Sequence, residues 1–443
     1  MLFSLFLPKT IAMKSKIMLC LLLFSFGIVY TQEKKETKKD STEYIYESKS
    51  KLNGPTSIAE ILKFDNDIDP YYRLPVKYTK PWYDWKKKFN EQTGIGLGIE
   101  YVSLALVATD VIDEEINDKL TSSGILNIRA NKVIVNRKKE KNQGTFAVLL
   151  SSRHRYNGES SPMFHGLDES GYYGLTGTGY LHYTFRILEL HYSQQFLEGR
   201  INTIVGKIDP ANYFNFHGLG IPTKAFINYG SIGSGTVNMH NPGFGVGVGA
   251  VLTKSLYLKL AFTDVYGDLY QDGNFLDFGR NFFNGDIQTW AEIGWAPTID
   301  EIFTKNFSLT FWRSPSYTSH TGAEYEDDLG IAFSSYWLFN ETHMPFLRFG
   351  FSGGKAENTF YTKDVQLGYG LNFKNHDLFG ISFSWAEPNI DGTKNQLTGE
   401  LFYRFQLTRR FAITPDIQWI KNPTLNPDES SLWYFGGRAR ISL

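Results

Sequence analysis

Cysteine is almost absent from these 443 residues: Cys20 is the only one. It lies in an N-terminal apolar run, so the remainder has no thiol for a disulfide or a thiolate metal site. Charge of one sign is missing too, because 45 Lys and Arg stand against 46 Asp and Glu. No arginine-rich run is interleaved with stacking aromatics, which speaks against a nucleic-acid surface. A helical membrane protein needs stretches of roughly twenty apolar residues, and beyond Tyr30 none occurs. Enzyme signatures are equally poor. No His/Cys cluster has metal-ligand spacing, and the glycines at 96–99 lack the strand-to-helix setting of a phosphate or dinucleotide loop. No cofactor and no catalytic residue is implied.

The one long apolar run is Ile17–Tyr30, preceded by Lys14 and Lys16. This pattern reads as a signal peptide over residues 1–31, cleaved near Thr31, with Met13 as a candidate start. An anchor helix is the rival reading, for which the run is short. A lipoprotein would need a small residue before Cys20, and Leu19 is not small. Residues 32–50 are charged and apolar-poor, as a disordered linker would be. Residues 51–92 form a separate segment, placed on the periplasmic side. It carries a short amphipathic helix near Ser57–Phe64 and a Trp82-Tyr83-Asp84-Trp85 lead-in to the first strand.

What the chain does have is a period of two. Leu256, Leu258, Leu260 and Phe262 alternate with Tyr257, Lys259, Ala261 and Thr263. Val365, Leu367, Tyr369, Leu371 and Phe373 alternate with Gln366, Gly368, Gly370 and Asn372. A strand sends successive side chains to opposite faces, so each segment has one apolar and one polar side. Sixteen such strands are expected: 94–108, 124–135, 144–156, 180–196, 200–208, 244–252, 255–265, 286–296, 306–314, 328–339, 345–353, 364–374, 378–386, 396–407, 410–420 and 432–443. Short connections such as Thr253-Lys254 alternate with long ones such as 157–179 and 209–243. A soluble sandwich has no reason to sort loop lengths by side. An outer-membrane barrel does, with tight periplasmic turns and longer external loops. The fold expected over residues 93–443 is therefore an all-β, transmembrane, antiparallel up-and-down barrel.

On the fourth strand the phase changes. Leu181, Tyr183, Phe185 and Ile187 share one side, and Leu188, Leu190 and Tyr192 then take it over. One extra residue near Ile187–Leu188 accounts for the change, so a β-bulge is predicted there. Aromatics near strand ends (Trp295, Trp337, Phe339, Phe373, Trp385, Trp419 and Trp433) suit interfacial girdles.

Alternation also assigns the lumen. Glu100, Asn127, Arg129, Asn131, Ser151, Arg153, His182, Thr184, Arg186, Glu189 and Lys259 fall on the polar side. So do Glu292, Trp312, Arg348, Glu400, Arg404, Asp416, Gln418, Arg438 and Arg440. Mixed charge with amides and aromatics suits a neutral polyhydroxylated solute, since guanidinium forks and carboxylates hydrogen-bond adjacent hydroxyls. The plainer reading is that these groups pair with one another and keep the lumen polar and rigid. The longest connection, 209–243, is either folded inward to narrow the lumen or a plain external cap.

Several segments resemble a known family, among them the Trp82–Ile99 entry segment and the 243–264 hairpin. Glu189–Phe196 followed by Gly199–Phe214, and the tail Leu401–Thr408, Ile413–Pro423 with its closing strand, are similar to the carbohydrate-selective porins, the OprB-like family. The resemblance spans about residues 80–443 with gaps. It implies a sixteen-stranded outer-membrane channel for monosaccharides, with inward-folded loops. It also implies that Lys207 and Asp209 stand where the inward loop begins, and that Glu189 lines the lumen. The candidate channel-lining set is then Glu100, Arg129, Arg153, Arg186, Glu189, Lys207, Asp209, Lys259, Arg348, Glu400, Arg404 and Arg438. Expected partners are small carbohydrates, outer-membrane lipid and the barrel-assembly machinery; monomer and trimer are both open. The alternatives are a less selective or other-solute porin of the same architecture, and an outer-membrane barrel hydrolase.

Overall fold

The computed structural model describes residues 52–66, 80–137, 141–265, 267, 280–319 and 322–443. The expected signal peptide and linker lie outside them. Alternating segments pair with their sequence neighbours: β1 (Ile95–Ala108), β2 (Leu120–Val135), β3 (Gly144–Asn157), β4 (Tyr183–Phe196), β5 (Ile201–Ile208), β6 (Gly243–Val251), β7 (Leu256–Asp264), β8 (Ile287–Trp295) and β9 (Lys305–Ser314). A small external hairpin, β10 (Tyr317–Thr318) with β11 (Glu324–Tyr325), interrupts the series. It resumes with β12 (Asp328–Trp337), β13 (His343–Ser352), β14 (Tyr361–Asn372), β15 (Leu378–Pro388), β16 (Gln396–Gln406), β17 (Phe411–Lys421) and β18 (Ser431–Ser442). Apart from the hairpin, these sixteen strands form one closed antiparallel barrel. β1 meets β18 in a register running from Glu100↔Ser442 to Ala108↔Tyr434. Closure satisfies every ladder within the wall and leaves no edge, which is what lets strands span hydrocarbon.

Exposure follows the alternation. On β7, Tyr257, Lys259, Ala261 and Thr263 are buried inside, whereas Leu260 and Phe262 stand exposed outside. Aromatic pairs mark two rims. Trp295 stacks 6.2 Å from Trp337 at the short-turn side, and Trp419 lies 6.3 Å from Trp433 at the long-loop side. Such amphipathic rings belong at membrane–water boundaries.

The bulge on β4 is present: Leu149 pairs with Glu189 while Leu150 pairs with Ile187, so Leu188 has no counterpart. Glu189, His191 and Gln195 are buried as a result. A second irregularity follows, where Ser151 pairs with Arg186 but Arg153 with Tyr183. It reverses the phase again, and the outward placement expected for Leu181 and Tyr183 is overturned. Both are buried with Leu149 and with Leu188, which was likewise expected outward and instead packs inside, and the inversion takes His182 and Thr184 off the inward face.

Two helices precede the wall. Helix α1 (Ile58–Asn66) buries Ile58, Ile61 and Leu62. Helix α2 (Lys80–Thr93) buries Tyr83, Lys86 and Asn90 along one stripe and stacks Trp82, Trp85 and Phe89 on a neighbouring one. The Arg137 guanidinium donates to the carbonyls of Asn90 at 3.0 Å and Glu91 at 2.6 Å, capping the α2 C-terminus. Gly94, at φ +73°, then turns the chain into β1.

Candidate solute channel

Inward-facing side chains are largely buried because chain segments cross the lumen. The connection 209–243 folds inside. It leaves β5 at Asp209, whose carboxylate accepts from the Ala211 N–H at 3.0 Å to cap a short turn. Asn212 then donates to Glu189 at 2.9 Å. The Asn215 N–H donates to Glu292 at 2.8 Å. Further on, the carbonyls of Lys224 and Ala225 accept from Arg404 at 3.2 Å and Arg438 at 2.9 Å; that of Pro222 also accepts from Arg438. The N–H groups of Ile227 and Asn228 donate to Glu400 at 2.6 and 3.1 Å. The chain returns past Asp364, which accepts from Ser234 and from the Gly235 N–H, both at 3.0 Å. A second long connection, 158–182, comes inside to meet it. Thr178 N–H donates to Ile227 O at 2.8 Å, and Tyr229 N–H to Leu175 O at 2.9 Å.

Half of the predicted lining thus holds a loop in place. Arg348 donates to the carbonyls of Ile232 at 2.7 Å and Asn215 at 2.8 Å, joining the outgoing and returning limbs. Lys259 donates to Glu292 at 2.9 Å and to the Tyr213 carbonyl at 2.6 Å. Glu292 also accepts from the Thr310 hydroxyl at 2.7 Å, so every charge in this group has partners. Glu100 accepts from Asn127 at 3.0 Å, Arg129 at 2.8 Å and Arg440 at 2.6 Å. The plainer reading, of paired groups that stiffen the lumen, describes Glu100, Arg129, Lys259, Arg348, Glu400, Arg404 and Arg438.

Arg153 and Arg186 differ: they face inward on β3 and β4 and keep partial solvent contact, as Asp209 does. The Arg153 guanidinium lies 5.2 Å from the centre of the Tyr183 ring. Near Glu189, His191 Nε2 stands 3.6 Å from a carboxylate oxygen. A cavity of about 60 Å³ beside this wall is bordered by His191, Asn202, Ile204, Tyr213, Gly247 and Lys259. Lys207 does not join the lumen set. Its register partners are Leu190 and Phe244, both on the outward face, so alternation turns it away from the solute path.

Burial, reinforced by the Glu189 charge, pushes the Asp209 carboxyl up to about 7. Burial likewise holds Lys224 well below the ordinary lysine range; Asp65 opposes the shift and Arg440 adds to it. His217, buried beside Arg348, is held well below the usual histidine value and is neutral.

Sequence reading missed several groups that shape this lumen. Asp364 sits where the β14 ladder shifts register, at Tyr361/Lys363, and Asn212, Asn215 and Asn228 belong to the loop. Asp65 arrives on α1. Only Asp364 carried a signal, as the polar neighbour two positions before Gln366.

Residues 345–443 match the model of the carbohydrate-selective porin, OprB family. Among solved structures the chain is similar to Pseudomonas putida OprB. Its high-pH structure aligns at TM-score 0.62 and 14% identity, covering 81% of this chain and 97% of that one. Its low-pH structure aligns at TM-score 0.51 and 12% identity, covering 83% and 98%. No curated protein matches in sequence. The tail's resemblance to this family is borne out, and the sixteen-stranded fold is that of the porins.

Proposed function

Taking the chain as a barrel on the plan of the carbohydrate-selective porins, we propose that it is a passive channel for small sugars in a bacterial outer membrane. The observation that carries this reading is the lumen itself. It is narrowed by two inward loops and lined by acids and bases in near balance, most of them already tied to partners. A solute there meets little net field, so neither anions nor cations are strongly preferred. It meets guanidinium groups at Arg153 and Arg186 and the carboxylate of Asp209. These offer donors and an acceptor to the hydroxyls of a sugar. Weak, repeated hydrogen bonds of this kind speed transit without trapping the solute. A channel rather than an enzyme is the activity that follows.

The test is liposome swelling with hexoses against polyols and charged solutes of the same size. Faster hexose permeation supports the reading. Equal permeation of all solutes of one size leaves a general porin.

A further inference from the structure

A membrane barrel shows hydrocarbon its apolar side, and much of this wall does so. Phe311, Phe349 and Leu367 stand exposed on β9, β13 and β14. Across β1 to β3 the rule fails. Tyr101 and Ser103 face outward on β1, alternating with buried Glu100, Val102 and Leu104. His154 and Tyr156 reach them from β3, over Gly124 on the strand between. The Tyr101 hydroxyl lies 3.0 Å from His154 Nε2 and 2.6 Å from the Tyr156 hydroxyl, which lies 2.7 Å from that of Ser103. Gly124 leaves them the space, since a Cβ there would lie 2.7 Å from both His154 Nε2 and the Tyr101 hydroxyl.

Depth is what makes this cluster informative. Ser103 pairs with Gly124 on one side and Ala439 on the other, and Gly124 pairs with His154. Ala439 lies near the middle of β18, between Trp433 at the long-loop rim and Leu443 at the short-turn side. The cluster is therefore level with the middle of the hydrocarbon, which neither water nor lipid headgroups reach. Polar groups are costly there unless protein meets them. These four bond to one another, yet the second ring nitrogen of His154 has no hydrogen bond among the described residues. Beside the cluster runs a seam of small side chains, where Ala105 pairs with Gly437 and Ser103 with Ala439. Gly437 faces open space: the nearest non-adjacent atom to a Cβ built there, Thr414 O, is 3.4 Å away. Small residues let two membrane-embedded surfaces approach closely, and polar groups then bond across the contact.

We propose that the outward face of β18, β1, β2 and β3 is where a second copy of this chain docks, side by side in the membrane. Two observations select a copy as the occupant. The aromatic rims hold every copy at one height and in one orientation, so a neighbour's own cluster arrives level with this one. Phenol, hydroxyl and imidazole groups both donate and accept, so the face is complementary to itself, as an isologous contact requires. The free nitrogen of His154 then finds its partner on the copy. This association is independent of which solute the channel passes.

Disulfide trapping in outer membranes tests the proposal, in a Cys20→Ser background. Ala105→Cys should give a linked dimer on oxidation, and Phe311→Cys, on the far wall, should give little. Native mass spectrometry of the parent should find more than one chain per particle. Gly437→Leu adds a side chain that lipid accepts and a docked wall does not. Combined with Ala105→Cys, it should cut the linked fraction by roughly tenfold, while the heat-modifiable gel band shows the barrel still folded. His154→Leu should cut it roughly threefold, the worth of one polar contact within a bilayer. Equal linking at Ala105→Cys and Phe311→Cys, or linking that neither Gly437→Leu nor His154→Leu reduces, overturns the interface. So does a single chain per particle with no linked dimer, which leaves a polar patch facing lipid.

Discussion

Asp65 on α1 and Arg440 on β18 meet as a two-oxygen pair, at 2.6 and 2.8 Å, across most of the sequence. The same guanidinium donates through Nε to Glu100 at 2.6 Å, and Glu100 also accepts from Arg129. Arg440 is therefore the shared partner of two buried carboxylates from different elements.

Removing it leaves both acids desolvated with fewer donors. Breaking a buried pair from one side costs roughly 3–5 kcal/mol, far more than an exposed pair is worth. Arg440→Ala is expected to lower the thermal unfolding temperature in detergent markedly. Lys363→Ala, which breaks an exposed pair with Glu387, should change it little. Similar losses for the two variants would contradict the buried network.

Asp209 predicts a pH dependence. Its carboxyl is pushed up to about 7 from an ordinary 3.8, first by burial and then by Glu189. Below that value the group is neutral, so acidification removes a negative charge from the start of the inward loop. The reversal potential in a KCl gradient should shift toward anion preference between pH 8 and pH 6, and Asp209→Asn should abolish the shift. Linkage runs the same way. Between 3.8 and about 7 the folded state holds the proton that the unfolded chain has released, so this group's contribution to stability declines as pH rises through that window. An Asp209→Asn variant with the parent's pH profile in both measurements would remove the assignment.

Arg348 predicts a change in aperture. It binds the carbonyls of Asn215 and Ile232, on the two limbs of the inward loop. Arg348→Ala frees both carbonyls, and the loop should loosen. Single-channel conductance is expected to rise and its noise to increase, while the barrel stays folded. Unchanged conductance would mean that Glu292, Glu400 and Asp364 hold the loop without it.

These contacts also show which parts of the molecule could be read from the chain. Alternation located all sixteen barrel strands, because in a closed wall each residue's side is decided by its own parity. It found the bulge at Leu188, where apolar parity visibly flips. It missed the second shift on β4, because Leu181 and Tyr183 are apolar and pack inside against α1, where a polar residue was expected. The route of the 209–243 loop was not legible, since its anchors join backbone atoms to side chains on remote strands. An amphipathic helix near 57–64 was legible, but its destination was not. Gly98, Ala147 and Leu149, which receive it, look like ordinary positions in ordinary strands.

The bulge gives the sharpest test of how the wall is specified. Leu188 is the unpaired extra residue, so deleting it would join Ile187 to Glu189, leave their pairs with Leu150 and Leu149 in place, and keep every later β4 side chain on its present side. That variant should fold, losing roughly 2–5 kcal/mol with the packing of Leu188 beside Leu149 and Leu181. Deleting Leu190, a paired residue beyond the bulge, has the opposite effect, because side-chain direction has a period of two. His191 and Gln195, now buried inside, would face hydrocarbon, and Tyr192 would enter the lumen. The Leu190 deletion is expected to prevent barrel formation altogether, seen as loss of the heat-modifiable band in gel electrophoresis. A Leu190 deletion that still migrates as a folded barrel would show that the phase of β4 is set elsewhere.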